Sequence, residues 1–398
     1  MVRILFIGWL LLFSVFQLTA QEKSLKLVEY SQVTAGSARF DQYSHLLEGK
    51  RVGVLVNHAS LVKGRFLVDF LLDHGVKVVR IFSPEHGFSG KNDAGAHVSN
   101  SHDEETGLKV ISLYGIDHKK PTSNDLKGVD VMLIDLQDVG VRFYTYISTM
   151  SLTMEACAEN NIPVVVLDRP NPNGFYVDGP VLDTHYRSFV GMHPVPVVYG
   201  MTIGEYAKMV NGEGWLKGSL SCDLTVIPME NYDHQMIVKL DVPPSPNLPN
   251  WQSVYLYPSL CFFEGTIVSV GRGTEYPFQV YGHPDLPFAD FSFLPKSIPG
   301  KSANPKLKGQ VCYGQYLAFY ADNYVNNIRG LNLSWLLSSY KYLSEKHKFF
   351  NNYFDKLAGT DRLRKAIEAG LSEEEIREQW KKELKAFKKV RKKYILYD

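Results

Sequence analysis

The 398-residue chain lacks an excess of charge of either sign and has few cysteines. It carries 43 basic and 42 acidic side chains, whereas nucleic-acid-binding proteins usually have a basic surplus, so no nucleic-acid partner is expected. With 45% hydrophobic residues, it also lacks the composition of a disordered chain. Its length allows about two or three domains, each large enough to fold around its own core.

An apolar run of the length found at positions 4–18, directly after Arg3, does not recur in the rest of the chain. A basic start, about fifteen apolar residues and the small residue Ala20 are typical of a secretory signal peptide. The run is shorter than the roughly twenty residues that span a bilayer, so a retained transmembrane helix is the less favoured alternative. The sequence therefore predicts a signal peptide over residues 1–20. The mature protein is expected to be exported, periplasmic or secreted, without membrane insertion.

Motifs for metals and nucleotides are also missing. The chain has no C-x-x-C, no zinc-finger spacing and no H-E-x-x-H, and it lacks both a P-loop and a G-x-G-x-x-G after a strand. These absences argue against nucleotide and zinc-protease chemistry, and no cofactor or metal is expected. Buried free thiols are the expectation for the four cysteines, which are Cys157, Cys222, Cys261 and Cys312.

Short apolar runs alternate with helical segments between residue 50 and about 235. Runs of Val, Ile and Leu without alternation are typical of strands buried on both faces of a parallel sheet. The predicted strands are Arg51 to Val56, Val76 to Phe82, Val110 to Leu113, Val131 to Leu136, Pro163 to Leu167 and Leu224 to Ile227. Helices are expected at Phe66 to His74, Ile147 to Asn160 and Thr202 to Asn211. The fold class is therefore α/β, with an open, doubly wound, mostly parallel sheet over residues 21–235.

The pattern changes near residue 236. Four prolines among residues 241–249 predict a linker or a long ordered loop. A smaller α/β domain over residues 236–398 is expected, ending in helices at 360–369 and 372–394. Ser372 and Glu375 form a predicted capping box at the start of the last helix.

Polar residues follow each of the first five predicted strands. Because ligands bind outside the carboxyl ends of strands in open α/β sheets, these loops should converge on one crevice. They are Asn57-His58, Ser83 to Gly87, Tyr114-Gly115, Gln137-Asp138 and Asp168 to Asn171.

Glu85 is the strongest catalytic candidate in these loops. Pro84 and Gly87 shape its backbone, and two phenylalanines flank it in sequence. A carboxyl partly shielded from water there could act as general acid in glycoside hydrolysis, with His86 orienting it. The alternative is that Glu85 caps a helix or pairs with Arg80.

Two other function classes stay open at this point. Ser60-Leu61-Val62-Lys63 satisfies the S-x-x-K pattern of acyl-serine enzymes, although no K-T-G accompanies it. A non-catalytic protein that binds cell-wall sugars in the same crevice is the other alternative.

Long motifs throughout the chain resemble the exo-β-N-acetylmuramidase family of peptidoglycan-recycling glycosidases, formerly a domain of unknown function. The first group comprises Gly53 to Asn57, Phe82-Ser-Pro-Glu-His-Gly-Phe88, Asp135 to Tyr146, Leu167 to Asn173 and Gly191 to Thr202. The second comprises Val242 to Asn247, Phe263 to Thr266, Gly271 to Thr274, Ala358 to Asp361 and Lys388 to Tyr394. Two departures bear on fine specificity: His58-Ala59 replaces an expected Gln-Thr, and His283 stands where a small residue is usual.

The resemblance implies a Rossmann-like domain and a smaller α/β domain with the active site between them. The implied reaction releases N-acetylmuramic acid from the non-reducing end of β-1,4-linked peptidoglycan fragments, so muramyl saccharides are the expected partners. Glu85 would protonate the leaving oxygen. Asp138 is a candidate second catalytic group, and the alternatives are Asp93, Asp168, Glu264 or the acetamido group of the substrate.

Substrate-binding candidates follow from the same resemblance. The lactyl carboxylate of muramic acid calls for a guanidinium, from Arg142, Arg169 or Arg272. Tyr144 and Tyr146 would share one face if their segment is extended, and both could then contact the sugar. The further substrate-binding candidates are Asn57, Asp93, Asp168, Asn171 and Glu264.

Overall fold

The structure is a computed structural model that describes residues 25–85, 87, 101–115, 118–287, 290–325 and 329–398. The predicted signal peptide, His86 and Asp93 lie outside the described residues. Within the described part, we find no helix with the length and apolar character that crossing a membrane requires.

The described chain alternates strands and helices along most of its length. The strands are β1 Lys26–Glu29, β2 Arg51–Val56, β3 Leu61–Val62, β4 Arg65–Phe66, β5 Lys77–Ser83, β6 Ser101–His102, β7 Lys109–Ser112, β8 Val131–Asp135, β9 Val164–Leu167, β10 Leu224–Ile227, β11 Met236–Lys239, β12 Val280–His283, β13 Phe291–Phe293 and β14 Cys312–Tyr316. The α-helices are α1 Ser44–Leu47, α2 Leu67–Asp73, α3 Tyr146–Glu159, α4 Ile203–Gly212, α5 Trp251–Leu260, α6 Ala318–Tyr324, α7 Ser334–Leu343, α8 Phe354–Ala358, α9 Arg362–Glu368 and α10 Glu373–Arg391.

A large sheet organises the N-terminal part of the molecule. Its order is β10-β9-β8-β2-β5-β7-β6, and its strands are parallel except for the antiparallel pair β6 and β7. Numbered along the chain, the parallel strands follow the order 3-2-1-4-5-6 of Rossmann folds, which confirms the predicted fold class. The order reverses between β2 and β8, where such sheets open their ligand crevice.

Apolar side chains on both faces explain why the central strands lack alternation. Met132 and Ile134 of β8 pack into a core shared with α3, whereas Leu133 between them packs into a second core with Leu67 of α2. A strand covered on both sides therefore needs an apolar residue at every position. The edge strand β10, in contrast, is partly exposed.

Local sequence signals fix the element boundaries well. The predicted strands and the helices α2, α3 and α4 begin and end within one residue of their predicted limits. The predicted capping box at Ser372 is present, and Thr202 forms a second one at the start of α4, because each hydroxyl accepts from the backbone N–H three residues later. All four cysteines are buried and free, as predicted.

The smaller C-terminal part contains the antiparallel sheet β12-β14-β13 and the helices α5 to α10. The proline-rich segment 241–249 is an ordered loop beside the carboxyl edge of the large sheet. The carbonyl oxygen of Pro243 accepts from His58 Nε2 at 2.7 Å, and that of Pro244 accepts from Tyr144 OH at 2.6 Å. This loop thereby ties the C-terminal part to the loops that follow β2 and β8.

Candidate active site

A cavity of about 580 Å³ lies between the carboxyl edge of the parallel sheet and the C-terminal helices. The strands contribute residues that follow β5, β7 and β8, and the C-terminal part contributes residues of α5, α8 and the turn after α5. The lining residues are Glu85, Tyr114, Gly115, Lys119, Phe143, Thr145, Ser188, Phe189, Val190, Tyr257, Cys261, Glu264, Arg272, Tyr353, Lys356 and Leu357. Of the five strand-end loops expected to converge on one crevice, those after β5 and β7 line this cavity through Glu85 and Tyr114-Gly115, whereas Asn57-His58, Gln137-Asp138 and Asp168 to Asn171 do not line it.

Glu85 follows β5 and lines this cavity with a partly exposed side chain. Thr145 Oγ1 donates to Glu85 Oε2 at 2.9 Å, and Tyr146 OH donates to the Glu85 carbonyl oxygen at 3.3 Å. Tyr114 also hydrogen-bonds to the carboxyl group, and burial together with the charge of Glu85 raises the pKa of Tyr114. The phenol therefore stays protonated at neutral pH and can donate a hydrogen bond to the Glu85 carboxyl group.

A second carboxylate, Glu264, lines the same cavity. Arg272 Nε and Nη2 donate to its two oxygens at 2.5 and 3.0 Å, and the guanidinium lies 4.9 Å from the centre of the Phe278 ring. Such a bidentate pair fixes the position of the carboxylate. Among the described residues that line the cavity, Glu85 and Glu264 are the two carboxylates.

Lys306 supports the turn that carries Glu264. Its Nζ donates to the Phe263 carbonyl oxygen at 2.8 Å, and burial lowers the pKa of Lys306 to about 8. The ammonium group thus holds the backbone of this turn in place beneath the Glu264 and Arg272 pair.

Arg142 does not line the cavity, contrary to its predicted role as a carboxylate ligand. Its buried guanidinium donates at 2.7 to 2.9 Å to four carbonyl oxygens, those of Pro180, Val195, Leu357 and Ala358. Burial lowers the pKa of Arg142 to about 9. The side chain is therefore a structural link between the N-terminal part and the end of α8.

Arg169 also has partners other than the expected sugar carboxylate. It forms a bidentate pair with Asp135 at 2.6 and 2.7 Å and donates to Tyr30 OH at 2.7 Å. It borders a different cavity, of about 530 Å³, whose lining does not include Glu85. We therefore assign Arg169 to the structure of the β8 and β9 edge.

Asp168 and Asn171 lie in the same buried loop. Asp168 Oδ2 accepts from Thr202 Oγ1 and from Tyr397 OH, both at 2.7 Å, so it anchors the start of α4 and the end of the chain. Asn171 Nδ2 donates to the Met201 carbonyl oxygen at 2.7 Å. Neither side chain lines the Glu85 cavity, and the predicted sugar contacts are replaced by these internal ones.

Asp138 is buried behind the cavity and does not line it. Burial raises the pKa of Asp138 to about 6, although hydrogen bonds from Tyr199 OH and the Gly140 N–H oppose this shift. Its Oδ1 atom has no hydrogen-bond partner within the described ranges. From this buried position, the Asp138 carboxyl group does not reach a glycosidic bond held in the cavity.

Asn57 and Ser60 form a buried cluster after β2. Asn57 Oδ1 accepts from Ser60 Oγ at 3.1 Å and from the Gln137 N–H at 3.3 Å. Ser60 Oγ also lies 2.6 Å from the Asp135 carbonyl oxygen. A fully buried hydroxyl that is held in this way is not an available nucleophile, so the acyl-serine hypothesis loses its support.

The segment around Tyr144 and Tyr146 is a turn leading into α3. The prediction that both tyrosines share one face required an extended segment, which the structure does not have here. Both tyrosines are buried, with ring centres 4.7 Å apart. Thr145 between them reaches Glu85 instead. Sequence reasoning missed Thr145 because an extended segment would have turned it to the opposite side.

Several cavity residues of the C-terminal part also carry no sequence signal that would have found them. Tyr257, Tyr353 and Lys356 belong to ordinary helical or loop segments and reach the cavity only through packing of α5 and α8. Tyr114, in contrast, is one of the strand-end residues that the pattern singles out.

Comparison with known proteins agrees with these motifs. The family models for the N-terminal and C-terminal parts of exo-β-N-acetylmuramidase NamZ match residues 52–252 and 255–397. The peptidoglycan β-N-acetylmuramidase NamZ of Bacillus subtilis is 40% identical over 373 residues, which cover 89% of each chain.

Two crystal structures of DUF1343 family proteins from Bacteroides fragilis have the same fold. Their TM-scores are 0.83 and 0.77 at 46% and 29% sequence identity, and each match covers 92% of this chain and 99% of the other. Together with the matching family models over both parts, these relatives show that the chain belongs to the exo-β-N-acetylmuramidase family.

Proposed function

We propose that this protein is an exo-acting glycoside hydrolase that releases N-acetylmuramic acid from the non-reducing end of peptidoglycan fragments. The observation that carries the proposal is the position of Glu85, a carboxyl group that lines an open cavity and is held by Thr145 and Tyr114. Family membership supplies the substrate class, since the Bacillus subtilis relative is a peptidoglycan β-N-acetylmuramidase.

Glu85 acts as the general acid in this proposal. Its carboxyl proton passes to the glycosidic oxygen as the bond to the anomeric carbon of muramic acid breaks. Thr145 and Tyr114 restrict the orientation of the carboxyl group, so that the proton is presented to one position in the cavity.

Glu264 is the second catalytic carboxylate in this proposal, because it is the other described carboxylate that faces the cavity. Arg272 fixes the position of the Glu264 carboxylate in the cavity wall. Replacing Glu264 with Gln should then lower kcat by more than about 100-fold. Activity close to that of the unaltered enzyme would assign the second role to the acetamido group of the substrate.

Lysine, and not arginine, is the proposed partner of the lactyl carboxylate. Lys119 and Lys356 line the cavity, whereas Arg272, the predicted arginine that also lines it, is already paired with Glu264. Lys119 Nζ lies 5.0 Å from the centre of the Phe189 ring, whereas the Lys356 side chain is exposed at the cavity margin. Lys356 is therefore the freer of the two cations to meet an anionic sugar.

We also propose that the protein is exported after cleavage near Ala20. The basic start and apolar run of the first twenty residues support this, and N-terminal sequencing of the protein recovered from the periplasm or medium tests it. A mature chain that begins at Met1 would contradict export by this route.

One assay separates catalysis from mere binding. The purified protein is incubated with a muramyl disaccharide, and free N-acetylmuramic acid is measured over time. Release of the monosaccharide supports the proposal, whereas saturable binding without any release would make the protein a binding protein for wall sugars.

A further inference from the structure

Three potential metal ligands meet in the C-terminal part of the molecule. His283 ends β12, Asp285 follows in the next turn, and His347 lies after α7. One ligand atom from each residue lies within 4.8 Å of the other two. None of the three lines the cavity of Glu85.

The distances within this cluster approach those of a coordinated ion. His347 Nε2 lies 2.7 Å from Asp285 Oδ2, and His283 Nδ1 lies 3.9 Å from the same oxygen. Ligands at about 2.1 Å from a tetrahedral zinc ion are separated by roughly 3.4 Å. The two observed separations fall on either side of that value, and the three ligand atoms all lie within 4.8 Å of one another, so changes of at most roughly 1.5 Å in these separations would complete the site.

The donor set itself selects the class of metal. Two imidazoles and one carboxylate are the ligands of zinc sites that keep a fourth position for water, whereas Ca²⁺ and Mg²⁺ take oxygen ligands. The imidazole nitrogens also suit Co²⁺ and Ni²⁺. From this geometry we propose that His283, Asp285 and His347 bind one zinc ion or a similar divalent transition-metal ion.

The site lies at the surface, and one of its three ligands, His283, has a buried side chain. The His283 side chain is only 8% exposed, whereas those of Asp285 and His347 are 46% and 34% exposed. An ion can therefore enter from solvent and keep a bound water. The Asp285 N–H donates to His283 Nδ1 at 3.1 Å, and the metal takes the place of this hydrogen bond.

The site has a structural consequence for the cavity. His347 opens the segment that continues through Phe350 and Asn351 to Tyr353, which lines the cavity of Glu85. That segment is otherwise fastened by a bridge between Thr266 and Phe350 and by a 3.3 Å bond from Asn351 Nδ2 to the Glu264 carbonyl oxygen. A metal ion would tie it to the end of β12 as well, and so stabilise the wall without taking part in the reaction.

The proposal is separate from the proposed hydrolase function, because none of His283, Asp285 and His347 lines the cavity of Glu85. Loss of metal binding would therefore leave the assignment of Glu85 untouched.

The test uses the full purified chain after treatment with a chelator. Zinc is titrated by calorimetry, cobalt is followed by its visible absorption, and the melting temperature is recorded with and without zinc. We expect one ion per chain, a tetrahedral cobalt spectrum and a zinc-dependent rise in Tm. Absence of saturable binding overturns the proposal.

Variants then locate the site. His347→Ala and Asp285→Asn alter exposed side chains and should weaken zinc affinity at least tenfold, with the metal-free Tm nearly unchanged. His283→Ala should have the same effect on affinity. The matched control is His185→Ala, because exposed His185 pairs with Asp183 at 2.9 Å but lies outside the cluster. Equal affinity in His347→Ala and in the control would overturn the assignment of these ligands.

Discussion

Thr145 Oγ1 lies 2.9 Å from Glu85 Oε2, and this hydrogen bond joins the start of α3 to the loop after β5. The bond crosses the sheet from the β8 side to the β5 side, with β2 between them. It therefore fixes the carboxyl group of the proposed general acid by a residue from a different strand-end loop.

Thr145→Val removes this donor while keeping the shape of the side chain. A hydrogen bond to a carboxylate contributes about 1.5 to 3 kcal/mol, so kcat should fall by roughly 10-fold to 100-fold. Thr149→Val is the control, since Thr149 lies one turn later on α3 and its hydroxyl donates to the Thr145 carbonyl oxygen at 3.3 Å and not to Glu85. Equal kcat values for the two variants would show that Thr145 does not position Glu85.

Lys356→Ala should weaken substrate binding selectively. Loss of a cation that meets the lactyl carboxylate should raise KM for a muramide by about 10-fold, which corresponds to about 1.4 kcal/mol, with little change in kcat. Hydrolysis of a glucosaminide, which lacks the lactyl group, serves as the comparison. Lys346→Ala removes an exposed lysine that does not line the cavity, and it should change KM for neither substrate. An equal loss on both sugars would contradict a carboxylate-specific role.

Arg142→Lys should destabilise the fold. An ammonium group cannot reach all four carbonyl oxygens that the guanidinium satisfies, and unsatisfied buried acceptors cost about 1 to 3 kcal/mol each. We expect the free energy of unfolding, measured in urea, to fall by at least about 3 kcal/mol. A variant of unchanged stability that has lost only muramide affinity would restore Arg142 as a substrate ligand.

Asp138 should make stability depend on pH. Burial raises its pKa to about 6 in the folded protein, against about 3.9 in an unfolded chain. A raised carboxyl pKa means that the stabilising contribution of the protonated group is present below about pH 4 and is lost as the pH rises through 6.

The Asp138→Asn variant has no carboxyl group at this position, so it does not show this loss of stability as the pH rises. Between pH 4 and 7, its free energy of unfolding should therefore rise relative to that of the unaltered protein by about 2 kcal/mol, as measured by urea unfolding at each pH. Asp41→Asn, at an exposed position, provides the control. A difference between Asp138→Asn and the unaltered protein that stays constant over this range would show that Asp138 does not titrate there.

The sequence predicts the large sheet well because its central strands, such as β8, are apolar at every position and have clear turn residues around them. The strands β12 to β14 were not predicted, since they are short and mix tyrosine, glycine and polar residues. Those strands depend on packing in the C-terminal part more than on a local pattern.

The candidate site likewise contains residues that the sequence reveals and residues that only tertiary packing brings to the cavity. Glu85 could be found because it follows a strand, but nothing local distinguishes an arginine that faces a cavity from one that is surrounded by carbonyl oxygens. Arg142 is of the second kind, whereas Arg169 pairs with the Asp135 carboxylate and borders a different cavity, and only tertiary packing decides this. Lys356 reaches the cavity because α8 packs beside it, a long-range contact that a single sequence does not reveal.

The role of Glu85 as general acid is the central claim, and Glu85→Gln tests it most directly. The measurement compares kcat/KM of the variant and the unaltered enzyme on a muramyl disaccharide and on a muramide with a nitrophenol leaving group. We predict a loss of about 10³-fold on the disaccharide and a much smaller loss on the nitrophenyl substrate, which needs little protonation to depart. Turnover of the disaccharide at the rate of the unaltered enzyme would contradict the claim.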